Sequence, residues 1–271
     1  MSEPKSSIIS ESMLERLQHP SFPQPIDNRV KVWRYMNLAK FISLLDTKTL
    51  YLSRLDRFSD SYEGSTTAAT MTGIQSFIKS IMPADKPEAI ENAMKLLRNS
   101  YKEIRRRYYI SCWHMNNDES EAMWKLYGGS SREGIVIQSL YSKLIESIQR
   151  QDGIYVGVVN YIDHQTHTFP TANEFYPVMH KGTFYAHEKE VRLVKYFNSS
   201  NTNKLSDELD SQPEKLLIPW DTTQYIEKIY VNPYADEYYF EAVKSVLNTM
   251  APTLSTALEW SRMKVMPYLM Q

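Results

Sequence analysis

Cysteine is almost missing from this sequence: Cys112 stands alone among 271 residues. That excludes a disulfide within the chain and fits a reducing, cytoplasmic setting. Long apolar runs are missing as well. No segment approaches the roughly 20 apolar residues of a membrane span. Residues 1–25, rich in Ser and Pro with Glu3 and Lys5 near the start, lack the apolar core of an export signal. Neither export nor membrane association is expected. Charge of one sign is also wanting: 31 Lys and Arg face 32 Asp and Glu, a formal net charge of -1, which fits neither a disordered tail protein nor a histone-like polycation. No glycine- or proline-rich linker divides the chain. The expected organisation is an N-terminal extension, 1–29, and a single domain, 30–271, carrying a helical insertion at about 73–107.

Several chemical signatures are absent too. None of G-x-x-x-x-G-K-[ST], G-x-G-x-x-G or G-x-S-x-G occurs, which removes the usual supports for P-loop, Rossmann and serine-hydrolase chemistry. No metal is expected, because nothing beside His164 and His167 completes a zinc pattern.

Aromatic residues are plentiful, with 19 Tyr, 5 Trp and 9 Phe, enough to supply both a core and ring-stacking pockets. Val32 to Met36 reads as a strand, Asn37 as the N-cap of a helix carrying Leu38, Phe41, Ile42 and Leu45, and Thr49 to Ser53 as the next strand. A polar turn, Phe58 to Gly64, follows, in which Gly64 can take a positive φ. Ile74, Phe77, Ile78 and Ile81 form one helical stripe, and Ile90, Met94 and Leu97 another. Further strands are expected at 108–113, 134–137, 153–161, 190–194, 215–219 and 226–231. Further helices are expected at 119–127, 140–149 and 238–250, with irregular chain at 163–180 and a polar loop at 198–212. Without a regular β-α repeat, the fold class is α+β.

Three constellations stand out. Glu188-Lys189-Glu190 opens an apolar strand, where residues two apart share a face, so the two carboxylates would point one way. They form either a site or a solvated pair balanced by Lys189 and Arg192. Cys112-Trp113-His114 with Met123-Trp124 could sandwich a flat ring or pack the core, and His114 is either an acid/base group or a structural histidine. Arg105 to Arg107, flanked by Tyr101, Tyr108 and Tyr109, suits either single-stranded nucleic acid or the C-terminal end of a helix dipole.

Tyr51-Leu52-Ser53, the turn Phe58 to Gly64, Trp113 with Met123-Trp124-x-x-Tyr127, Gly134, and Glu188 to Leu193 together resemble domain of unknown function 2971, in order over roughly 32–263. The turn departs from that pattern, with Ser59 and Ser61 where the family has Asn and Pro. The layout more distantly resembles the ADP-ribosyltransferases. That resemblance implies a mixed, split β-sheet core and NAD+ as substrate, with Glu190 stabilising the oxocarbenium-like transition state and Glu188 positioning or deprotonating the acceptor. It further implies Arg34 on the pyrophosphate, Trp113, Tyr51 or Tyr62 stacking the nicotinamide, and Tyr35, Ser53, His114 and Arg192 around the cofactor. The acceptor would be nucleic acid or protein, in a toxin or phage-defence setting with an antitoxin or other regulatory partner. The alternative is a non-catalytic nucleic-acid-binding or protein-interaction module.

Overall fold

The structure, a computed structural model, describes residues 11–60, 62–82, 87–128, 132–170, 173–197 and 205–264. The chain begins with a short helix, α1 (Glu11–Leu17), whose Met13 is wholly buried in the main apolar core. Arg16 of the same helix donates to the carbonyls of Gln151 and Ile154. Farther on, Phe22 crosses Gly157 so closely that a Cβ there would lie 2.7 Å from the Phe22 Cα. The segment 11–29 is thus anchored to the packed body through Met13, Arg16 and Phe22. The polar composition of the segment hid a few deeply inserted apolar side chains.

β1 (Lys31–Asn37) leads into α2 (Leu38–Thr47). The Asn37 side chain caps that helix by accepting from the Lys40 backbone N–H, and Lys48, in the left-handed region at φ 48°, ends it. β2 (Thr49–Arg54) follows. The helical insertion comes next as two helices, α3 (Ala68–Ile81) and α4 (Pro87–Arg105). The stripe of α3 is partly open, with Phe77 63% and Ile81 62% exposed, whereas Met94 in the stripe of α4 is buried.

β3 (Tyr108–Met115) is the central strand. After it come α5 (Glu121–Tyr127), β4 (Gly134–Leu140), α6 (Tyr141–Ile148), β5 (Ile154–Val158) and β6 (Asn160–Ile162). The expected strand over 153–161 is broken into these last two: the Val159 N–H still bonds the Glu190 carbonyl, but the Asn160 N–H turns away to the Met179 carbonyl. The expected irregular stretch ends in a short strand, β7 (His180–Gly182), paired with β6. β8 (Glu190–Tyr196) lies along the whole of β3. Within the expected polar loop, α7 (Leu205–Ser211) is helical with Leu209 buried, whereas 198–204 lie outside the described residues. β9 (Lys215–Pro219), α8 (Thr222–Tyr225), β10 (Lys228–Val231), α9 (Glu237–Met250) and β11 (Leu258–Trp260) complete the chain order.

Nine strands form one mixed sheet, ordered β11-β10-β4-β1-β3-β2-β9, with β8 and β5 branching from β3. One edge of β3 is paired by β8 from Tyr108 to His114. The opposite edge is shared: β1 pairs only at its far end, opposite His114 and Met115, and β2 only at its near end, opposite Tyr109 and Ile110. Between them Ser111, Cys112 and Trp113 have no strand partner on that edge. The sheet therefore splits into a V, and α2 joins the two arms. Among the described residues, no helix is long and apolar enough to cross a membrane.

Candidate functional site

Two adjoining cavities occupy the region of the split. One, of about 440 Å³, is lined by Trp33, Cys112 and His114 from the strands, by Ser59, Asp60 and Glu63 from the turn, and by Tyr127, Lys181, Tyr185, Glu188 and Glu190. The other, of about 670 Å³, lies between β1, β2 and α2, with Tyr51, Ser53, Lys40 and Lys215 in its walls. Arg34, Tyr35, Phe58 and Cys112 line both. Both volumes lie within the range of small-ligand sites.

Three carboxylates meet two cations at the first cavity. Lys181 lies 2.6 Å from Glu188, 3.1 Å from Glu190 and 3.3 Å from Glu63. Arg192 donates to Glu190 at 2.7 Å, to Glu63 at 2.9 Å and to the Val178 carbonyl. Tyr127 donates to Glu188 at 2.8 Å, and the Tyr161 hydroxyl accepts from the Glu190 backbone N–H. All five charged residues are buried. Fully ionised, the cluster carries one excess negative charge.

Burial works against the charged form of Glu190, but Arg192 and Lys181 outweigh it and hold this carboxyl down at about 2. Glu188 shifts the other way: burial first, then the neighbouring Glu190, raise its pKa in spite of Lys181. Two carboxyl groups whose surroundings drive them apart in acidity divide the labour between a fixed anion and a proton carrier. Their placement corrects one expectation. Glu188 is not on the strand but closes a 3-10 turn, Thr183–Glu188, and Lys189 adopts the left-handed region at φ 41° before β8 begins. That kink, rather than strand alternation, brings both carboxylates onto Lys181. Gly64 behaves as expected, with φ 71° and no room for a Cβ against Leu55, and it holds the adjacent Glu63 beneath Arg192.

Arg34 is the contrasting feature. Its guanidinium donates to the Tyr51 carbonyl at 2.9 Å and sits 5.7 Å from the Trp113 ring centroid. It makes no ion pair among the described residues. Burial lowers its pKa to about 10, still charged at neutral pH. Among the described residues no Asp or Glu lines the second cavity, which holds Arg34, Lys40 and Lys215. One cavity is acidic and the next basic.

The remaining expected site residues divide. Tyr35 lines both cavities and packs its ring edge against Trp124. Tyr51 and Ser53 line the basic cavity. Trp113 belongs mainly to the core, against Trp220, and only borders the acidic cavity. His114 lines that cavity beside Glu188. Two of them lie apart from the cavities. Arg192 has no exposed surface, lines neither cavity and holds Glu190 and Glu63. Tyr62 is 54% exposed, packs on His164, and lies outside both cavities. The basic run is spent internally: Arg105 on the Leu55 carbonyl, Arg106 on Glu103 and Asp210, Arg107 on the Phe197 carbonyl. Lys181 escaped notice because it lies in a stretch without periodicity, where only its three acidic partners reveal it. Among the described residues, no group of three or more His, Cys, Asp or Glu could hold a metal ion.

No family model matches the chain, and no curated protein matches it. Solved structures that it matches include DarT of Thermus sp. 2.9 in complex with NAD+, at 11% identity over 84% of this chain and 91% of that one, with a TM-score of 0.36. The same protein in complex with ADP-ribosylated ssDNA matches at 12% identity over 85% and 92%, with a TM-score of 0.35. A likeness of that size does not establish a common fold.

Proposed function

We propose that this protein cleaves the nicotinamide–ribose bond of NAD+ and transfers the ADP-ribose to a macromolecular acceptor. The observation that carries this reading is the polarity of the divided cleft: an arginine without an ion pair among the described residues where the two cavities meet, two lysines in the wall of one and an excess carboxylate charge in the other. A dinucleotide with an anionic pyrophosphate and a cationic pyridinium ring matches that dipole.

In this arrangement Arg34 binds the pyrophosphate, and Glu190, held ionised by Arg192 and Lys181, faces the positive charge that grows as the glycosidic bond breaks. The bonding pair leaves with nicotinamide, which becomes neutral. The acceptor's oxygen or nitrogen bonds to the ribose carbon, and its proton passes to Glu188, whose pKa, raised by burial and by Glu190, favours taking it up. Nucleic acid is the favoured acceptor, since Lys40, Lys215 and the exposed Tyr51 supply charge and a stacking face beside the basic cavity. The non-catalytic nucleic-acid binder loses its main support now that Arg105, Arg106 and Arg107 are engaged within the protein.

The test is release of nicotinamide from NAD+. Wild type is expected to release it, and Glu190→Gln to lose at least a hundredfold in rate while keeping its fold. A folded wild type that neither binds nor cleaves NAD+ would end this reading.

A further inference from the structure

His114 is 3% exposed and lines the acidic cavity with Tyr127 and Glu188. Register places it opposite Trp33 on one side and Glu190 on the other. Its Nδ1 lies 2.5 Å from the Glu188 carbonyl oxygen. A carbonyl oxygen only accepts, so Nδ1 carries the proton. Burial, more than the nearby charges of Lys189 and His187, keeps the ring below its ordinary pKa in spite of that hydrogen bond. The ring is therefore neutral at pH 7, and Nε2 presents a bare lone pair.

Among the described residues that lone pair has no partner: Nε2 is buried without a hydrogen bond. Asp60 Oδ2, in the wall of the same cavity, is likewise a buried acceptor without a donor among the described residues. Buried acceptors are ordinarily satisfied, so two unsatisfied ones around a ligand-sized space specify a ligand that brings its own donors.

We propose that His114 is the specificity-determining residue of the acidic cavity, its Nε2 accepting a hydrogen bond from an N–H of the ligand, namely the carboxamide of nicotinamide. The inference rests on the NAD+ reading and adds the chemical reason for choosing an amide over a ketone on the pyridine ring. A site built to accept from an N–H rejects an analogue that lacks it, because the acceptor is then left buried and unpaired.

The experiment compares NAD+ with its 3-acetylpyridine analogue, which keeps the cationic ring and the carbonyl but replaces the amino group by methyl. Wild type is expected to favour NAD+ in kcat/KM by roughly tenfold to a hundredfold more than His114→Leu does. His114→Gln, with an acceptor oxygen on its side chain, is expected to recover part of that preference. Should His114→Leu fail to fold, nitrogen-15 NMR of the wild-type imidazole decides. Its Nε2 resonance is expected to be unprotonated in the free protein and to shift on adding nicotinamide but not 3-acetylpyridine. NAD+ cleavage with equal discrimination in wild type and His114→Leu, or a protonated Nε2 in the free protein, overturns this inference alone. Absence of any NAD+ binding or cleavage overturns the NAD+ reading and this inference with it.

Discussion

Lys181 is surrounded by three carboxylates and has almost no water of its own. Removing its ammonium in Lys181→Met would leave Glu63, Glu188 and Glu190 to share Arg192 alone. Breaking a buried ion pair on one side typically costs 3–5 kcal/mol, so a loss of that order is expected in denaturant unfolding. Glu190→Gln behaves differently, because it leaves two carboxylates with two cations. The charges of the variant balance and it is expected to fold, but at neutral pH it gives up the stabilisation of the ionised carboxyl and is expected to melt below wild type. Nicotinamide release by Glu190→Gln, measured well below its melting temperature, then reports the chemical loss apart from the structural one.

The same residue carries a pH signature. Glu190 titrates at about 2 in the folded protein against 4.5 ordinarily. A group held low in the native state binds its proton first in the unfolded state. Its stabilisation is therefore complete above about pH 4.5 and is lost as pH falls toward 2. The amount is of order 3 kcal/mol for such a shift. Acid unfolding followed by circular dichroism is expected to be steep in wild type over that window and shallower in Glu190→Gln. The raised Glu188 acts in the opposite sense, withdrawing stability as pH rises through its titration.

Among elements, the turn between Glu188 and β8 does most to assemble the site. Lys189 holds a positive φ that L-residues with a branched Cβ resist. Lys189→Val is expected to cost about 1–2 kcal/mol and to lower activity by displacing both neighbouring carboxylates, whereas Lys189→Gly is expected to retain them. Thermal melting with nicotinamide release measures both. Much of this level was legible beforehand. Asn37 announced its helix by type and position, and β1, β2, β3 and β8 stood out through apolar and β-branched content. The left-handed Lys189 was not legible, since lysine gives no compositional sign of that conformation. Nor was α7, in whose polar sequence Leu209 is deeply buried.

Across the whole molecule, the near-zero net charge concealed a separation of sign. The 31 basic and 32 acidic residues cancel in sum, yet the two cavities that meet at Arg34 are oppositely lined. Charge totals carry no information on such an arrangement, and no spacing rule puts Lys40 and Lys215 in the wall of one cavity. Glu188 and Glu190 could be paired from the sequence because they are two residues apart. Glu63 and Lys181 could not, because only the tertiary fold brings the turn after β2 and the strand β7, which lies outside the nine-stranded sheet, to the same cavity. Binding through the basic cavity is expected to weaken with salt, and Arg34→Ala is expected to raise the Kd for NAD+ at least tenfold at low ionic strength, as read by calorimetry.

The V between β1 and β2 is spanned by one helix of 10 residues. At 1.5 Å per residue that helix is about 15 Å long. It acts as a ruler: adding one turn to α2 would lengthen it by about 5 Å, so the span of the mouth, and with it the size of molecule admitted, is encoded in a residue count.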